Sequence, residues 1–335
     1  CPPSRTPIRR LFLQQYVGIQ RLPASPNDGF CIRHYTGGRT LEQRRLRAMG
    51  ETTKRIRSSG GSATVIAVDG PKLIALADGY LDMDLSRFPD VVRGVGDDLA
   101  IVDGQDLNDM TISVNAFLIE DGGRLCLVDA GDGSRRGASL GHLRRAINAA
   151  GYDPEDVTDI LMTHLHGDHA AGLVEAGKAL YPEAQLHVSE AEQQFWRDPS
   201  RHDAIQATQT PFALAAMAAY ADRLTTIRPG EEALPGIAVE ALPGHTPGQV
   251  GFRLGADNPV LISADAIHLP ALQIKHPEWG FLFDADRAKA LETRLALMAS
   301  AAKSGIRLAG AHIPYPGAIR VLERETGLDY ERADD

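Results

Sequence analysis

Thr163-His164-Leu165-His166-Gly167-Asp168-His169 is the stretch on which the reading of this chain turns. It closes a short apolar run over 159–163 of the kind that forms a buried strand. His164 and His166 stand two apart at the end of that strand, so both imidazoles project to one side. Gly167 lets the backbone turn sharply, which brings the Asp168 carboxylate and the imidazole of His169 close by. Neutral imidazoles and a carboxylate are ligands for first-row metals, and no thiolate stands among them. With 11 His in 335 residues, the pattern H-x-H-x-D-H arises by accident in about one chain in a thousand of this composition.

Four ligands within six residues cannot fill two metal spheres and would crowd a single one, so distant partners are required. Three stand at or just past the ends of apolar runs, where layered α/β folds present functional groups. His245 lies in Pro243-Gly244-His245-Thr246-Pro247-Gly248, a loop whose glycines permit close backbone approach. Asp265 follows Ser263-Ala264, and His312 precedes Ile313-Pro314.

Around these points the chain reads as strands in groups with helices between them. Asp69-Gly70-Pro71 and Asp121-Gly122-Gly123 each join two apolar runs as hairpins. Ser139 reads as the cap of a helix carrying Leu140, Leu143 and Ile147 on one face. Ser189-Glu190-Ala191-Glu192 reads as a capping box, and the spacing predicts a helix over 208–224 with Pro211 in its first turn. A helix over 286–303 is expected to bury Ala288, Leu291, Leu295, Met298 and Ala302. The class is therefore α/β or α+β, mixed sheets covered by helices in layers.

Composition narrows the function. Net charge is −9, with 43% hydrophobic and 24% charged residues. Residues 1–60 hold 12 Lys and Arg against 3 Asp and Glu, leaving 23 against 41 in the remainder. A body so acidic is a poor surface for nucleic acid, whose phosphates need clustered cations. The charge skew divides the chain into a basic extension over 1–61 and an acidic body over 62–335. The stretch 11–20 is too polar for an export signal, and no run of about 18 apolar residues exists to span a membrane. Three cysteines make no disulfide framework, so a reducing, cytoplasmic location is expected.

Asp129 in Leu127-Val128-Asp129-Ala130-Gly131, the 164–169 cluster, the Gly-His-Thr-Pro-Gly loop, Asp265 and His312 together resemble, in order, the motifs of the metallo-β-lactamase superfamily. Asp265-Ala266-Ile267-His268-Leu269-Pro270, His276-Pro277-Glu278-Trp279 and the segment 311–317 are similar to the subgroup of methyl parathion hydrolase and the N-acyl homoserine lactonases. The resemblance implies an αββα sandwich with a dinuclear site at one edge. His164, His166 and His245 would hold one divalent ion, and Asp168, His169 and His312 the other, with Asp265 bridging and Asp129 orienting a ligand from behind. Zinc suits this donor set, and manganese, iron or cobalt are accommodated.

The implied reaction is hydrolysis of a neutral ester or lactone by a hydroxide shared between the ions. Asp168 and Asp265 are the catalytic carboxylates, and Asp168 relays a proton. Phosphotriester hydrolysis is the alternative, and a metal-binding protein without catalysis is a third. Trp196, His268, Trp279 and Phe281 are candidate pocket residues, although core packing is the ordinary role of such aromatics. His276 is weighed in the same way. Cys126 is read as structural, inside a core strand. The expected partner is a small-molecule substrate, and the subgroup resemblance also implies a homodimer.

Overall fold

Alternation of side chains decides which way each strand faces. In the strand Lys72–Met83, Leu73, Ala75 and Ala77 enter one apolar cluster while Ile74 and Leu76 enter another. Cys126 and Val128 likewise part from Leu125 and Leu127 in Arg124–Val128. A strand with both faces apolar must be covered on both sides, and this one is.

The computed structural model describes residues 53–91, 101–102, 105–106 and 110–333, all within one unit. Two seven-stranded sheets are formed. The first runs Ala63–Ile66, Lys72–Met83, Met110–Asp121, Arg124–Val128, Asp159–Leu161, Gln185–Ser189 and Leu224–Ile227. Its first four strands are antiparallel and its last three continue parallel to Arg124–Val128. The second runs Glu232–Leu234, Ile237–Ala241, Val250–Leu254, Val260–Ile262, Arg307–Ala309, Ala318–Arg324 and Gly327–Arg332. Its single parallel pair, Val260–Ile262 with Arg307–Ala309, is joined through the helix Arg287–Ser304.

The sheets face each other across a core that includes Ala75, Phe117, Cys126 and Val128 from one and Val239, Phe252, Ile262 and Ala309 from the other. Helices Leu143–Ala149, Glu190–Trp196 and Gln206–Ala219 cover the outside of the first sheet. Arg287–Ser304 covers the outside of the second. This is the αββα sandwich expected, with both hairpins in place and Cys126 in the inter-sheet core.

Several local expectations differ. Ser139 does not cap: the helix begins at Leu143 after His142, and the Ser139 carbonyl accepts from Tyr80 N instead. Gly79, at φ 148°, makes that contact possible, since a Cβ there would lie 1.9 Å from the Ser139 oxygen. The helix containing Pro211 starts at Gln206, so the proline sits in its interior rather than its first turn. The long helix buries Ala290, Arg294, Leu297, Met298 and Ala301, leaving Leu295 46% exposed. Its face is rotated because Arg294 turns inward, donating from Nε to Ala266 O and from Nη1 to Pro277 O. A reading by hydrophobicity places an arginine outside.

The basic stretch expected over 1–61 lies outside the described residues as far as residue 52. Residues 53–59 form a helix that sets Ile56 in the interior. No described helix is long and apolar enough to cross a membrane.

Asp69 ties the first hairpin to the loop before Val260. Its carboxylate accepts from the backbone N–H of Ala256, Asp257 and Asn258, and these bonds hold its pKa at about 2. A carboxylate depressed in the folded state stabilises above its ordinary value of about 4 and loses that contribution as pH falls through the folded value. Asp69→Ala should therefore melt earlier than wild type at neutral pH, with the difference closing toward about pH 2. Parallel thermal melts across that range check this, and a pH-independent difference would count against it.

Candidate metal centre

Four strand ends bring the site together. His164 and His166 follow Asp159–Leu161, and Asp168 and His169 occupy the short helix Gly167–Ala170. His245 stands in the loop after Ile237–Ala241, Asp265 just after Val260–Ile262, and His312 after Arg307–Ala309. The first group belongs to one sheet and the other three residues to the facing one. Gly244 and Gly248 make the predicted close approaches: a Cβ would lie 2.2 Å from Ala290 N and 2.0 Å from Glu192 N respectively. Asp129 and Ala264 adopt φ of 59° and 51°. That region is costly for residues with a Cβ, and it occurs here at two strand ends that feed the site.

Asp265 is the centre of the arrangement. Its Oδ2 lies 3.8 Å from His164 Nε2, 3.4 Å from His245 Nε2 and 3.2 Å from His312 Nε2, and its Oδ1 lies 3.3 Å from His169 Nε2. His166 Nδ1 is 2.8 Å from His245 Nε2, and Asp168 Oδ2 is 3.4 Å from His312 Nε2. Donor atoms of His164, His166 and His245 lie within 4.8 Å of one another, as do those of Asp168, His169 and His312. The seven side chains named from the sequence therefore converge, all of them buried except the partly exposed Asp168.

Each imidazole is held by its outer nitrogen. His164 Nδ1 meets Thr163 Oγ1 at 3.1 Å, and His166 Nε2 meets Gln206 Oε1 at 3.0 Å. His169 Nδ1 meets Asp129 Oδ2 at 2.8 Å, and His245 Nδ1 meets Asp284 Oδ1 at 2.9 Å. His312 Nδ1 meets the Ser113 carbonyl at 2.9 Å. Carbonyl and carboxylate oxygens only accept, so those outer nitrogens carry the proton and the inner ones present lone pairs. Oriented rings of this kind are what metal-ligating histidines need.

The donor set also fits cations electrostatically. His164 Nε2, His169 Nε2 and Asp265 Oδ1 are buried atoms without a hydrogen-bond partner, a costly condition that coordination removes. Burial and the neighbouring imidazoles push His164 far down, and burial with His245 takes His166 to about 3. Burial works against charge at His169 and His312 too, yet Asp265 raises both, with Asp129 adding to the effect at His169. Against burial, His169 and His312 hold Asp168 at about 2. The carboxylates thus draw protons onto two crowded imidazoles, a positive charge that divalent ions supply without them.

His268 also enters the cluster. Its Nε2 is 3.2 Å from Asp265 Oδ2, and its ring stacks on Phe281 at 3.9 Å. Phe281 lines the cleft above the centre, which is walled among the described residues by Leu81, Met83, Ile112, Phe283, Arg87 and Arg136 as well. Trp196 lies elsewhere: it is fully buried under the first sheet's helices and backs the His166 ring at 5.6 Å. Trp279 packs in the cluster beneath the cleft, with His276 stacked on it at 4.0 Å.

Sequence reasoning missed Asp284, Gln206 and Ser113. No local period marks them, since each acts on a ring 39 to 199 positions away. Asp284 is the consequential one. Burial pushes its carboxyl up, but His245 holds it below the usual range, with Arg294 Nη2 3.6 Å away. Asp284→Ala should weaken cation binding by about 10–100-fold and cost about 3–5 kcal/mol by stranding the buried Arg294. Cation titration and melting check both, and unaltered affinity would remove Asp284 from the site.

A family model described as the metallo-beta-lactamase superfamily matches residues 110–304. The uncharacterized protein YobT of Bacillus subtilis (strain 168) is 30% identical over 180 residues, 51% of this chain and 70% of YobT. Among solved structures, the hydrolase AbOPH of the beta lactamase superfamily is similar at a TM-score of 0.73 and 30% identity, over 81% of this chain and 96% of AbOPH. AidC, a dizinc quorum-quenching lactonase solved with a product, shares the fold at a TM-score of 0.73 and 24% identity, over 81% of this chain and 97% of AidC.

Proposed function

The chain belongs to the metallo-beta-lactamase superfamily as a metal-dependent hydrolase, and on that premise we propose that it cleaves neutral esters and lactones, acyl homoserine lactones among them, at a two-cation centre. The observation that carries this reading is Asp265, one carboxylate set between two triads of donors from facing sheets. His164, His166 and His245 would hold one ion and Asp168, His169 and His312 the other. Divalent ions held there would supply Lewis acidity toward a carbonyl oxygen and would lower the pKa of bound water toward neutrality.

The protein's own groups do the rest. Asp129, Asp284, Gln206, Thr163 and Ser113 keep the rings aimed inward. Asp168 is ionised and lies in the cleft wall, so it can take the proton released in the attack at a carboxylate oxygen and return it to the leaving alkoxide. Leu81, Met83, Ile112, Phe281 and Phe283 offer an apolar wall suited to an acyl chain without charge. AidC, of the same fold, is a dizinc lactonase, which supports the choice of substrate and of zinc.

A panel of acyl homoserine lactones, aryl esters and aryl phosphotriesters, assayed on protein of measured metal content, tests this. Turnover of lactones and esters with two equivalents of metal is expected. Turnover confined to phosphotriesters would replace the substrate class, and tightly bound metal with no turnover anywhere would leave a binding protein.

A further inference from the structure

Three imidazoles of one candidate cation position come from two loops that belong to different sheets. Facing sheets pack through apolar side chains, which are non-directional, so something directional must set the span between His164–His166 and His245. Metal ligands tolerate only about 0.2 Å of error in distance. We propose that Glu192 is the positioning residue for this cation position: one buried carboxylate ties together the two loops that carry its three imidazoles.

Glu192 is fully buried in the helix Glu190–Trp196. Its Oε1 accepts from Leu165 N at 2.9 Å, the residue between His164 and His166. Its Oε2 accepts from Thr246 Oγ1 at 2.6 Å, the residue after His245. Oε1 also accepts from Trp196 Nε1 at 2.6 Å, and that indole backs the His166 ring. The same helix start receives the His245 loop directly. Ser189 Oγ donates to Gly248 O at 2.5 Å, and only a glycine fits at 248 against Glu192 N.

Half of the capping box read from the sequence is made, with Ser189 Oγ accepting from Glu192 N at 3.2 Å. The Glu192 carboxylate, which would complete the box, is turned inward onto the ligand loops. An uncompensated carboxylate in that position would be expensive, and three donors satisfy it. None of its contacts reaches Asp168, His169 or His312. Its loss should therefore be felt at one cation position and not at the other.

This inference rests on the reading that His164, His166 and His245 hold a cation. The test is Co2+ titration of chelator-stripped protein, followed by absorbance and by calorimetry, with thermal melts alongside. Wild type should take two equivalents. Glu192→Ala should bind one equivalent about 10–100-fold more weakly and the other unchanged. Glu192→Gln should stay close to wild type, because its oxygen still accepts from Leu165 and Trp196 and its amide can donate to Thr246 Oγ1. Equal weakening of both equivalents, or none, overturns the proposal. If Glu192→Ala shows no cooperative melt, Thr246→Val, which removes only the bond to the His245 loop, must give the same one-sided loss, and unchanged affinity there overturns it. Wild type that takes up no cobalt would defeat the two-cation reading and this one together, whereas two equivalents bound equally well by every variant would defeat only the role of Glu192.

Discussion

Asp265→Ala is expected to lower hydrolysis by about a thousandfold or more. Loss of a residue that merely orients a metal ligand costs about 10–100-fold. Asp265 stands within 3.8 Å of imidazoles from both triads, so its removal compounds two losses of that size or greater. It also removes the one carboxylate that faces the buried His164, His169, His245 and His312 together. Cation content should fall together with turnover. Asp265→Asn, which keeps the shape and removes the charge, should sit between wild type and alanine in metal affinity. Full activity with two ions in Asp265→Ala would end the bridging role.

Stripping the ions should abolish turnover and lower the melting temperature without unfolding the chain. Ligand binding at about a thousand times its dissociation constant stabilises by about 4 kcal/mol per site. For a domain of about 270 residues that is about 7 °C per site. The pH sign follows from the raised imidazoles. In the stripped protein Asp265 raises the affinity of His169 and His312 for a second proton, and groups raised in this way stabilise below their unfolded pKa and lose the contribution as pH rises through the folded one. Cations must displace those protons, so their affinity rises with pH. The gap in melting temperature between loaded and stripped protein should therefore widen from about pH 6 to about pH 8. Melts of both forms across that range, with turnover restored by added Zn2+ or Mn2+, check it. A gap that narrows as pH rises would mean the imidazoles do not take up the ions.

The family and its layered fold were legible because the 164–169 cluster fixes four donors within one turn of chain, where covalent geometry alone governs spacing. The alternation that splits Leu73 from Ile74 is equally local, as is the Asp121-Gly122-Gly123 turn. Where expectation and structure part, a distant contact has intervened. Arg294 rotates the last long helix by bonding Ala266 and Pro277. Asp203 starts the Pro211 helix two residues early by accepting from Ile205 N and Gln206 N.

By itself, the sequence determined which side chains can act as donors, and through the ordered motifs it determined that they share one site. Tertiary structure alone decided how those donors are aimed and what surrounds them: Asp284 behind His245, Glu192 between two loops, His268 within the cluster, and Trp196 behind it rather than in the cleft. The physical reason is range. A hydrogen bond or a stacked ring depends on ångström distances between elements far apart in the chain, and those distances arise only once two sheets have packed against each other.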